Sequence, residues 1–553
     1  MSFRRPRISA LSLLGFLALG LFAAGCGGAQ TAPDGRCMLL TTNDSEAHFD
    51  GDRVELTPLV YRGTVARIAA VRRRLAAERK GGVLLLSAGD VLQGRYMERS
   101  DRDRSRAARE AWQIYEAAGY DLGTLGNHEF DAGPAVLKHA LLGLSRYRMV
   151  VSNLANDSPT LDNSDGRLWD EIAVRDCGGI KVGFFGLLTP STRTISQFGD
   201  TRFRDERDPV VPAAKAAVAR LKQAGARLIV GLTHLGVDED VALAGKLEGV
   251  DVLIGGHSHT LLKRWRRVGN TLVVQTGARF SHLGFLELVM GADGRLSPGD
   301  SRWHVEAVDD AMPEDPATVA AVAKLRDGYA REVVVGNRTQ PWALVGWQRH
   351  LYGQRVARAL WRFSAAHNSK GVGIDGAIIN SGGLRSAQIY PPGPVTNLEI
   401  RAIHPFGNRP VVVDLDGETL RDVFEHACAG GRGGKVGDRI EVWGIRFRCD
   451  IHRPAVRYRL QDGRVVGVQS RGQRAVDIIV GDEPLRGDKR YRVATNDYLA
   501  RGGSGFAQFA RGERACLDGA AFEPAHCQGQ ATVAELVEAG VKDGSFDVEV
   551  PDR

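Results

Sequence analysis

The sequence predicts an α/β protein in which a layered N-terminal domain is joined to a second α/β domain. From Arg36 to about Glu306, short apolar runs alternate with stretches of helical spacing at 64–78 and 213–225. This alternation is what a layered α/β domain requires. The pattern stops near Asp309 and restarts beyond it with different motifs, which predicts a domain boundary between the two halves.

Five of the apolar runs end in side chains that can bind a metal. They are Met38–Leu40 before Asn43-Asp44, Val83–Leu86 before Gly89-Asp90, Leu122–Leu125 before Asn127-His128, Leu228–Leu232 before His234, and Val252–Ile254 before His257 and His259. Parallel sheets deliver ligands from the loops at the carboxyl ends of their strands, so we expect one shared site. Its mixture of carboxylate, amide and imidazole, without cysteine, suits two hard-to-borderline divalent metals better than a structural zinc site.

A helix is predicted between the two halves. Asp315 has the character of an N-cap and Pro316 that of a first helical residue. Apolar residues follow at helical spacing at Val319, Val322, Leu325 and Tyr329. We expect a linker helix between two domains, and the alternative is a surface helix of the first domain.

The second half has its own strands and loops. In chain order we expect a strand at Ile374–Ile379 leading into the loop Asn380 to Arg385, a strand at Val411–Leu415, an Asp416-Gly417 turn, a helix at Thr419–Ala429, and a strand at Tyr491–Thr495 that opens onto Gly502-Gly503. These elements predict a second α/β domain.

The first 25 residues have the features of an export signal. Arg4, Arg5 and Arg7 precede an apolar stretch over 10–24, which is shorter than the ~20 residues of a transmembrane helix. The segment resembles a bacterial lipoprotein signal, with Cys26 as the lipidated N-terminus and 26–35 as a tether. Gly27 favours the outer membrane, and an ordinary cleaved signal is the alternative.

Charge and cysteine content narrow the class of protein. Loss of the three leader arginines lowers the formal charge from +7 to +4, and no dense basic stripe is present, so nucleic acid is not an expected partner. Six cysteines remain beside Cys26, which allows three disulfides in an exported protein. Pairing of neighbours is the simplest arrangement, and it gives Cys37–Cys177, Cys428–Cys449 and Cys516–Cys527.

The segment from Gly126 to Asp131, Gly-Asn-His-Glu-Phe-Asp, is the most specific motif. Asn127 offers a neutral oxygen ligand, and His128 enters the same cleft. Asp131 can hold that imidazole and keep it protonated for a leaving oxygen. His257 and His259 alternate along the chain, and in an extended segment both would reach one side. A capped turn with a surface histidine is the non-functional alternative.

Together with Gly89-Asp90 and the histidine pair, this motif resembles the calcineurin-like metallophosphoesterases. Nearly the whole mature chain resembles the exported 5′-nucleotidase and UDP-sugar hydrolase family. The resemblance implies a four-layer αββα sandwich over 36–308, a linker helix region over 309–339 and a C-terminal 5′-nucleotidase domain over 340–553. It implies that Asp90 bridges two divalent metals, one bound also by Asp44, position 46 and His259, the other by Asn127, His234 and His257. It also implies that His128 and Asp131 form the catalytic dyad.

One position departs from the family pattern. The family has His two residues after the Asp of Thr-Asn-Asp, whereas this chain has Glu46, with His48 further on. We expect Glu46 to ligate through oxygen and to shift the preference from zinc toward Mn, Mg or Ca. His48 as the ligand, or the loss of one metal, are the alternatives.

The resemblance also implies a nucleoside-binding site in the second domain, built from Asn380, Arg385, Phe406, Asn408, Tyr498 and Ser504. Phe406 and Tyr498 would sandwich the base, and each base stack contributes roughly 1–3 kcal/mol. Ser504 stands where the family has an Asp that contacts sugar hydroxyls, so this hydrogen bond is expected to be weaker. Arg349 is the nearest match to a further substrate-binding arginine. Rotation of the second domain would carry substrate onto the metals.

These observations predict a lipid-anchored, monomeric, two-metal phosphohydrolase that removes phosphate from nucleoside 5′-monophosphates. UDP-sugars and 2′,3′-cyclic nucleotides are expected additional substrates. A sulfur-ester hydrolase of the thiosulfohydrolase type is one alternative, although it has little use for paired Phe406 and Tyr498. A nucleoside-binding lipoprotein without catalysis is the other, although it has no use for His128 and Asp131.

Overall fold

The computed structural model describes residues 35–56, 59–79, 82–93, 101–291, 293–327, 333–346, 348–367, 373–386, 388–429, 440–461, 464–517 and 531–547. The predicted signal, the lipidation site Cys26 and Cys527 lie outside the described residues. In the described part of the chain, no helix combines the length and the apolar character needed to cross a membrane.

The first half of the described chain alternates strands and helices, as the sequence predicts. In chain order they are β1 (Arg36–Thr42), β2 (Asp52–Leu56), β3 (Leu59–Arg62), α1 (Val65–Arg79), β4 (Val83–Ser87), α2 (Asp101–Ala118), β5 (Leu122–Gly123), α3 (Pro134–Leu141), β6 (Arg148–Met149), β7 (Ile172–Cys177), β8 (Ile180–Leu188), α4 (Thr192–Ile195), α5 (Val211–Gln223), β9 (Leu228–His234), α6 (Val237–Ala244), β10 (Val252–Gly255), β11 (Arg266–Val268), β12 (Thr271–Val274), β13 (His282–Val289), β14 (Arg302–Ala307) and α7 (Pro316–Asp327).

Two six-stranded sheets of this domain pack face to face. Their strand orders are β14-β13-β1-β4-β5-β6 and β11-β12-β10-β9-β8-β7. Leu39 and Leu86 of the first sheet meet Val230 and Ile254 of the second in a buried apolar layer. Helices α1, α2, α3 and α7 cover the outer face of the first sheet, and α5 and α6 cover that of the second. The predicted four-layer αββα order is confirmed.

Strand direction sets the position of the loops. Strands β1, β4, β5 and β6 run parallel in the first sheet, and β8, β9, β10 and β12 run parallel in the second. Every residue of Val83–Ser87 and Leu228–His234 is buried, as expected for strands covered on both faces. The carboxyl ends of five of these strands therefore meet along one edge of the sandwich.

The second half is also an α/β domain. In chain order its elements are β15 (Val334–Arg338), β16 (Trp342–Ala343), α8 (Gln348–His367), β17 (Gly376–Asn380), β18 (Ile389–Tyr390), β19 (Gly393–Thr396), α9 (Asn397–Ile403), β20 (Pro410–Asp416), α10 (Gly417–Cys428), β21 (Ile440–Trp443), β22 (Ile445–Cys449), β23 (Arg457–Gln461), β24 (Arg464–Ser470), β25 (Ala475–Val480), β26 (Glu483–Pro484), β27 (Arg490–Asn496), α11 (Asp497–Ala500), β28 (Glu513–Ala515) and α12 (Val533–Lys542).

Its central sheet has the order β21-β17-β27-β20-β28. Helices α8 and α12 pack on one face, and α10 and α11 pack on the other. The predicted Asp416-Gly417 turn is wrong. Asp416 instead caps α10, because its carboxylate accepts a hydrogen bond from the Thr419 amide at 2.7 Å and Gly417 is already helical.

The predicted helix between the halves is α7. Its N-cap is Asp315, which accepts from the Thr318 amide at 2.8 Å. Val322 and Leu325 are buried in the same apolar core as α1 and α2. By its packing the helix belongs with the first domain, as in the alternative of a surface helix of that domain. The domain boundaries themselves stay a prediction.

Two of the predicted disulfides are present, Cys37–Cys177 and Cys428–Cys449, and Cys516 is also disulfide-bonded. Cys37 lies in β1 and Cys177 ends β7, so the first bridge joins the two sheets of the sandwich. It spans 140 residues, whereas the Cys428–Cys449 bridge spans 21.

Loss of the longer bridge is expected to destabilise the protein more. The chain-entropy model gives about 5 kcal/mol for replacing Cys37 and Cys177 by alanine and about 3 kcal/mol for replacing Cys428 and Cys449, because the longer loop gains more freedom on unfolding. Urea unfolding of the two double variants measures the difference. An equal or smaller loss for the Cys37 and Cys177 variant would contradict the prediction.

Candidate metal centre and substrate cleft

The seven predicted ligands lie at one edge of the sandwich, at the carboxyl ends of five parallel strands. Asp44 follows β1, Asp90 follows β4, Asn127 follows β5, His234 ends β9, and His257 and His259 follow β10, with Glu46 two residues beyond Asp44. All seven side chains are buried or half-buried. The sandwich thus brings together residues that are more than 200 positions apart in the chain.

One group of donors surrounds Asp90. Single ligand atoms of Asp90, His234 and His257 lie within 4.8 Å of one another. Asn127 joins them, because its Oδ1 is 2.8 Å from His257 Nδ1. Burial and the neighbouring His234 lower the pKa of His257 to about 4, which keeps its imidazole neutral, as a metal ligand must be.

A second group lies on the Asp44 side. His259 Nε2 is 3.3 Å from Asp44 Oδ1 and 3.7 Å from Glu46 Oε1, and His234 Nε2 is 3.9 Å from Asp44 Oδ1. Burial raises the pKa of Glu46, but Arg279 and Arg385 outweigh it and hold that pKa well below its usual range. Glu46 is therefore an anion at this edge, while the role of His48, which is also buried, stays a prediction.

The ligand loops are unusually tight. Five of the seven predicted ligands have a positive φ, namely Asp44, Glu46, Asp90, His257 and His259. Such strain in non-glycine residues concentrates at functional sites. A Cβ on Gly126 would lie 2.1 Å from Asp90 Oδ1, so only glycine permits this approach of the two loops.

The extended segment expected for the two histidines is wrong. His257 and His259 have φ values of 73° and 53°, which are left-handed rather than extended. The backbone turns between them, and so His257 faces Asn127 while His259 faces Asp44 and Glu46. The pair serves two groups of donors instead of one.

The donor set fits divalent cations. His234 Nδ1 donates to the Ala88 carbonyl at 2.7 Å, which leaves the lone pair on Nε2. Nε2 has no hydrogen-bond partner among the described residues, yet it lies 2.9 Å from Asp90 Oδ2. Two acceptors at this distance need a positive charge between them. Burial lowers the pKa of His234, but Asp90 outweighs it and raises that pKa to about 10, so without a metal the charge is a second proton on this imidazole, and a bound cation would replace that proton.

The predicted dyad is assembled beside this centre. His128 Nδ1 is 2.6 Å from Asp131 Oδ2, and the His128 amide donates to Asp90 Oδ1 at 2.8 Å. Burial lowers the pKa of His128, but Asp131 and Asp90 outweigh it and raise it to about 9. The Nε2 atom lies 4.0 Å from Asp90 Oδ2, so this edge of the ring faces the candidate metal ligands.

Glu129 is a functional residue that the sequence reasoning missed. Its carboxylate is buried and accepts hydrogen bonds from four backbone amides, those of Asp90, Val91, Leu92 and Gly126. It therefore ties the loop after β4 to the loop after β5. Its position in the Gly-Asn-His-Glu motif, directly after Asn127 and His128, is the sequence feature that could have indicated it.

Replacing Glu129 by glutamine is expected to lower the free energy of unfolding by about 2–5 kcal/mol, because two buried amides lose their acceptor. Urea unfolding of the metal-free protein measures this. Glu248→Gln, at an exposed position, is the matched control and should change stability by less than about 0.5 kcal/mol. Equal stabilities of the two variants would show that Glu129 does not hold the loops.

The second domain reaches the centre through Arg385. Its guanidinium pairs with Glu46, donates to Gln93 Oε1 at 2.7 Å and lies 3.0 Å from His128 Nε2. It also lies 5.8 Å from the centre of the Phe406 ring, which itself is 6.3 Å from the His128 ring. The two domains thus meet at one cleft, and predicted residues of both lie in it.

Arg349 supports the same loop from behind. Its guanidinium donates to the carbonyl oxygens of Ser381, at 2.8 Å, and Leu384. Burial, with Arg385 and Arg279 nearby, lowers the pKa of Arg349 to about 10. The arginine matched from sequence as a substrate contact is therefore seated against the backbone of the Asn380–Arg385 loop.

Two cavities adjoin Phe406. One is a partly open cleft between the domains, lined by Gln93, His128, Asp131, Gln197 and Phe406, among others. The other lies in the second domain, with Asn380, His404 and Asn408 in its wall beside Phe406. Asn380 is fixed there, because its Oδ1 accepts from Asn496 Nδ2 at 2.9 Å.

Tyr498 and Ser504 contact each other. The Ser504 amide donates to the Tyr498 hydroxyl at 2.9 Å, and Ser504 has a φ of 54°. The Tyr498 ring covers Gly503, where a Cβ would lie 2.4 Å from it. Among the described residues, no direct ring contact joins Phe406 and Tyr498. A base could bind between the two rings only if they do not touch, and the sandwich stays a prediction.

Comparison with known proteins divides the chain in the same way. Residues 48–261 match the family model of the calcineurin-like phosphoesterases, and residues 337–511 match that of the 5′-nucleotidase C-terminal domain. Each matched segment falls within one of the two α/β domains.

Similarity to known proteins extends along most of the chain. The snake venom 5′-nucleotidase of Naja atra is 27% identical over 502 residues, which cover 85% of this chain and 90% of that protein. The crystal structure of a 5′-nucleotidase precursor from Thermus thermophilus is 29% identical, covers 92% of this chain and 97% of its own, and has a TM-score of 0.74. The sulfate thiohydrolase of Thermus thermophilus covers 94% of this chain and 96% of its own at 17% identity and a TM-score of 0.67, a likeness of fold alone.

Proposed function

This chain belongs to the family of two-domain 5′-nucleotidases, and on that premise we propose that it removes the phosphate from nucleoside 5′-monophosphates. It is a metal-dependent phosphoric ester hydrolase. We propose the seven ligands and the His128–Asp131 dyad as its catalytic centre, and the cleft residues of the second domain as its nucleotide site.

The observation that carries the proposal is the meeting of both domains at one cleft. His128 and the ligand groups stand on one wall, and Arg385 and Phe406 stand on the other. A phosphate at the ligands would therefore place its nucleoside against an aromatic face. A ring on one side and a carboxylate-rich metal site on the other suit a nucleotide, whose base stacks and whose phosphate binds cations.

The residues divide the chemistry between them. When bound, two divalent cations neutralise charge on the phosphoryl group and lower the pKa of the attacking water. His128 is held through Nδ1 by Asp131, and its Nε2 is the atom that would give a proton to the departing nucleoside oxygen. Arg385 lies 3.0 Å from Nε2 and can only donate to it, so Arg385 has to turn toward the substrate before Nε2 can carry that proton.

We also propose UDP-sugars and 2′,3′-cyclic nucleotides as additional substrates. Ser504 lacks the carboxylate that would bind sugar hydroxyls tightly, which supports a site with modest ribose selectivity. The cleft beside His128 is partly open to solvent, so a leaving group bulkier than a nucleoside can extend out of it.

For the metals we propose Mn, Mg or Ca in preference to zinc. The centre contains three carboxylates, those of Asp44, Glu46 and Asp90, and hard oxygen donors favour these cations. Activity restored by zinc alone in a reconstitution series would contradict this preference.

We propose export and a lipid anchor at Cys26 as well. Two disulfides between described residues suit an oxidising compartment. Mass spectrometry of the N-terminal peptide tests the anchor, since a diacylglycerol on Cys26 adds a defined mass and an ordinary cleaved signal leaves none.

Phosphate release tests the proposed activity. Purified protein, first stripped with a chelator and then supplied with Mn, Mg, Ca or Zn, is assayed with AMP, UDP-glucose, a 2′,3′-cyclic nucleotide and ATP. We expect AMP to be cleaved, and cleavage to vanish on renewed chelation. Absence of AMP cleavage with every metal would overturn the proposal. The thiohydrolase alternative rests on fold alone. Hydrolysis of an S-sulfonate, R–S–SO3⁻, to a thiol and sulfate without AMP cleavage would favour it.

A further inference from the structure

Arg279 contacts two loops, one from each domain, at the point where the domains meet. It lies between β12 and β13, and its amide donates to the Asp44 carbonyl at 2.8 Å. Its Nε donates to Glu46 Oε2 at 2.8 Å, and its Nη2 donates to the carbonyl of Arg385. One side chain therefore links a candidate metal ligand of the first domain to the backbone of the substrate loop of the second.

Glu46 is held from both domains. Its Oε2 takes Arg279 and its Oε1 takes the guanidinium of Arg385, while only 1% of the side chain is exposed. A buried carboxylate with a single partner, or none, carries a heavy desolvation cost. Two guanidinium partners offset that cost and fix the orientation of the carboxylate.

The backbone at Arg279 is itself constrained. Its φ is 53°, a left-handed value that is unfavourable for a side chain of this size. The hydrogen bond from its amide to Asp44 helps to stabilise that conformation, and the side chain is 15% exposed. The Arg279 side chain thus extends into the interface from a turn whose backbone also contacts the candidate ligand Asp44.

We propose that Arg279 is a positioning residue that fixes the Glu46 carboxylate at the metal centre and fixes the Arg385 loop against it. It touches none of the reacting atoms. Its loss weakens the contact between the domains and the binding of nucleotide, and it leaves the dyad in place. This inference rests on the proposed function, because it assigns the Arg385 loop to substrate binding.

Arg279→Met tests the proposal in the purified enzyme. We expect the KM for AMP to rise by roughly tenfold or more, because a charge-assisted hydrogen bond is lost. We expect kcat to fall by less than about threefold. Small-angle X-ray scattering without nucleotide or metal should show a larger radius of gyration than wild type. Arg279→Lys, which keeps the charge and one donor, should give an intermediate KM.

Arg227→Met is the matched control. Arg227 is exposed and donates to the Gly294 carbonyl within the first domain, so its replacement should change neither KM nor scattering. Arg279→Met that matches this control in both readouts would overturn the proposal, and so would a fall in kcat with an unchanged KM. If Arg279→Met does not fold, Arg279→Lys decides, and a wild-type KM in that variant counts against the proposal.

The scattering arm separates two failures. If wild-type enzyme does not cleave AMP, the proposed function fails, while the comparison of radii for Arg279→Met and Arg227→Met still reports on the contact between domains. If AMP is cleaved and Arg279→Met matches Arg227→Met in both KM and radius, the positioning role alone fails.

Discussion

Replacing His128 by alanine is expected to lower kcat for AMP hydrolysis by about 10²–10⁴-fold, the contribution usual for a positioned acid. The departing nucleoside oxygen is a poor leaving group unless it receives a proton. His128 is the residue poised to supply one, because Asp131 holds its Nδ1 at 2.6 Å and its Nε2 faces the candidate ligands. The steady-state rate of phosphate release at saturating AMP, with the metal that restores most activity, measures this loss.

The choice of substrate sharpens this test. The leaving group of p-nitrophenyl phosphate is a stabilised phenolate that needs no proton. The loss of kcat in His128→Ala should therefore be much smaller with this substrate than with AMP. Metal content per chain should equal that of wild type. His304→Ala, at an exposed position paired with Glu306, is the control and should leave both rates unchanged. An equal deficit with both substrates would assign His128 to metal or phosphate binding instead of proton transfer.

The position of the candidate site can be predicted from the sequence because its residues follow predicted parallel strands. Short apolar runs followed by Asp90, Asn127, His234 and His257 indicate parallel strands, and parallel strands end at one edge. The alternation predicts a layered α/β domain and the family resemblance implies its four αββα layers, and the structure bears out both. Local features, such as a strand and the side chain that follows it, can be predicted from the sequence.

Contacts that depend on backbone turns could not be predicted. The histidine pair was expected in an extended segment, yet His257 and His259 both have positive φ and face different donors. Arg279 follows no strand end that carries a motif, and its partners Glu46 and Arg385 lie 233 and 106 residues away. No local pattern indicates which distant arginine neutralises a buried carboxylate.

Replacing Asp90 by asparagine is expected to abolish the second metal and to cut activity by roughly 10³-fold or more, since several kcal/mol of transition-state stabilisation are lost. Asp90 is the proposed bridge between the two groups of donors. Its Oδ2 is 2.9 Å from His234 Nε2, and its Oδ1 accepts from the His128 amide at 2.8 Å. An amide of the same shape keeps the acceptor for His128 but removes the shared negative charge.

The same substitution separates metal binding from folding. Burial raises the pKa of Asp90, but His234 and His128 outweigh it and keep that pKa far below its usual range, so the carboxylate is charged at neutral pH. Mn at 100 times its Kd should stabilise the wild-type protein by about 2.7 kcal/mol, because the ion binds only the folded chain. We expect Asp90→Asn to lose most of this gain. Metal-free Asp90→Asn should be less stable than wild type by about 3–5 kcal/mol, because the attraction of the two histidines outweighs the desolvation cost that the amide avoids.

Elemental analysis and thermal unfolding with and without Mn measure both quantities for Asp90→Asn. Asp165→Asn, at an exposed turn, is the control and should keep the full metal-dependent gain. The gain is the difference with and without Mn within each variant, so the lower metal-free stability expected for Asp90→Asn, which is buried between His234 and His128, does not enter the comparison. Two metals per chain and an undiminished gain in Asp90→Asn would show that the two groups of donors bind their cations without a shared carboxylate.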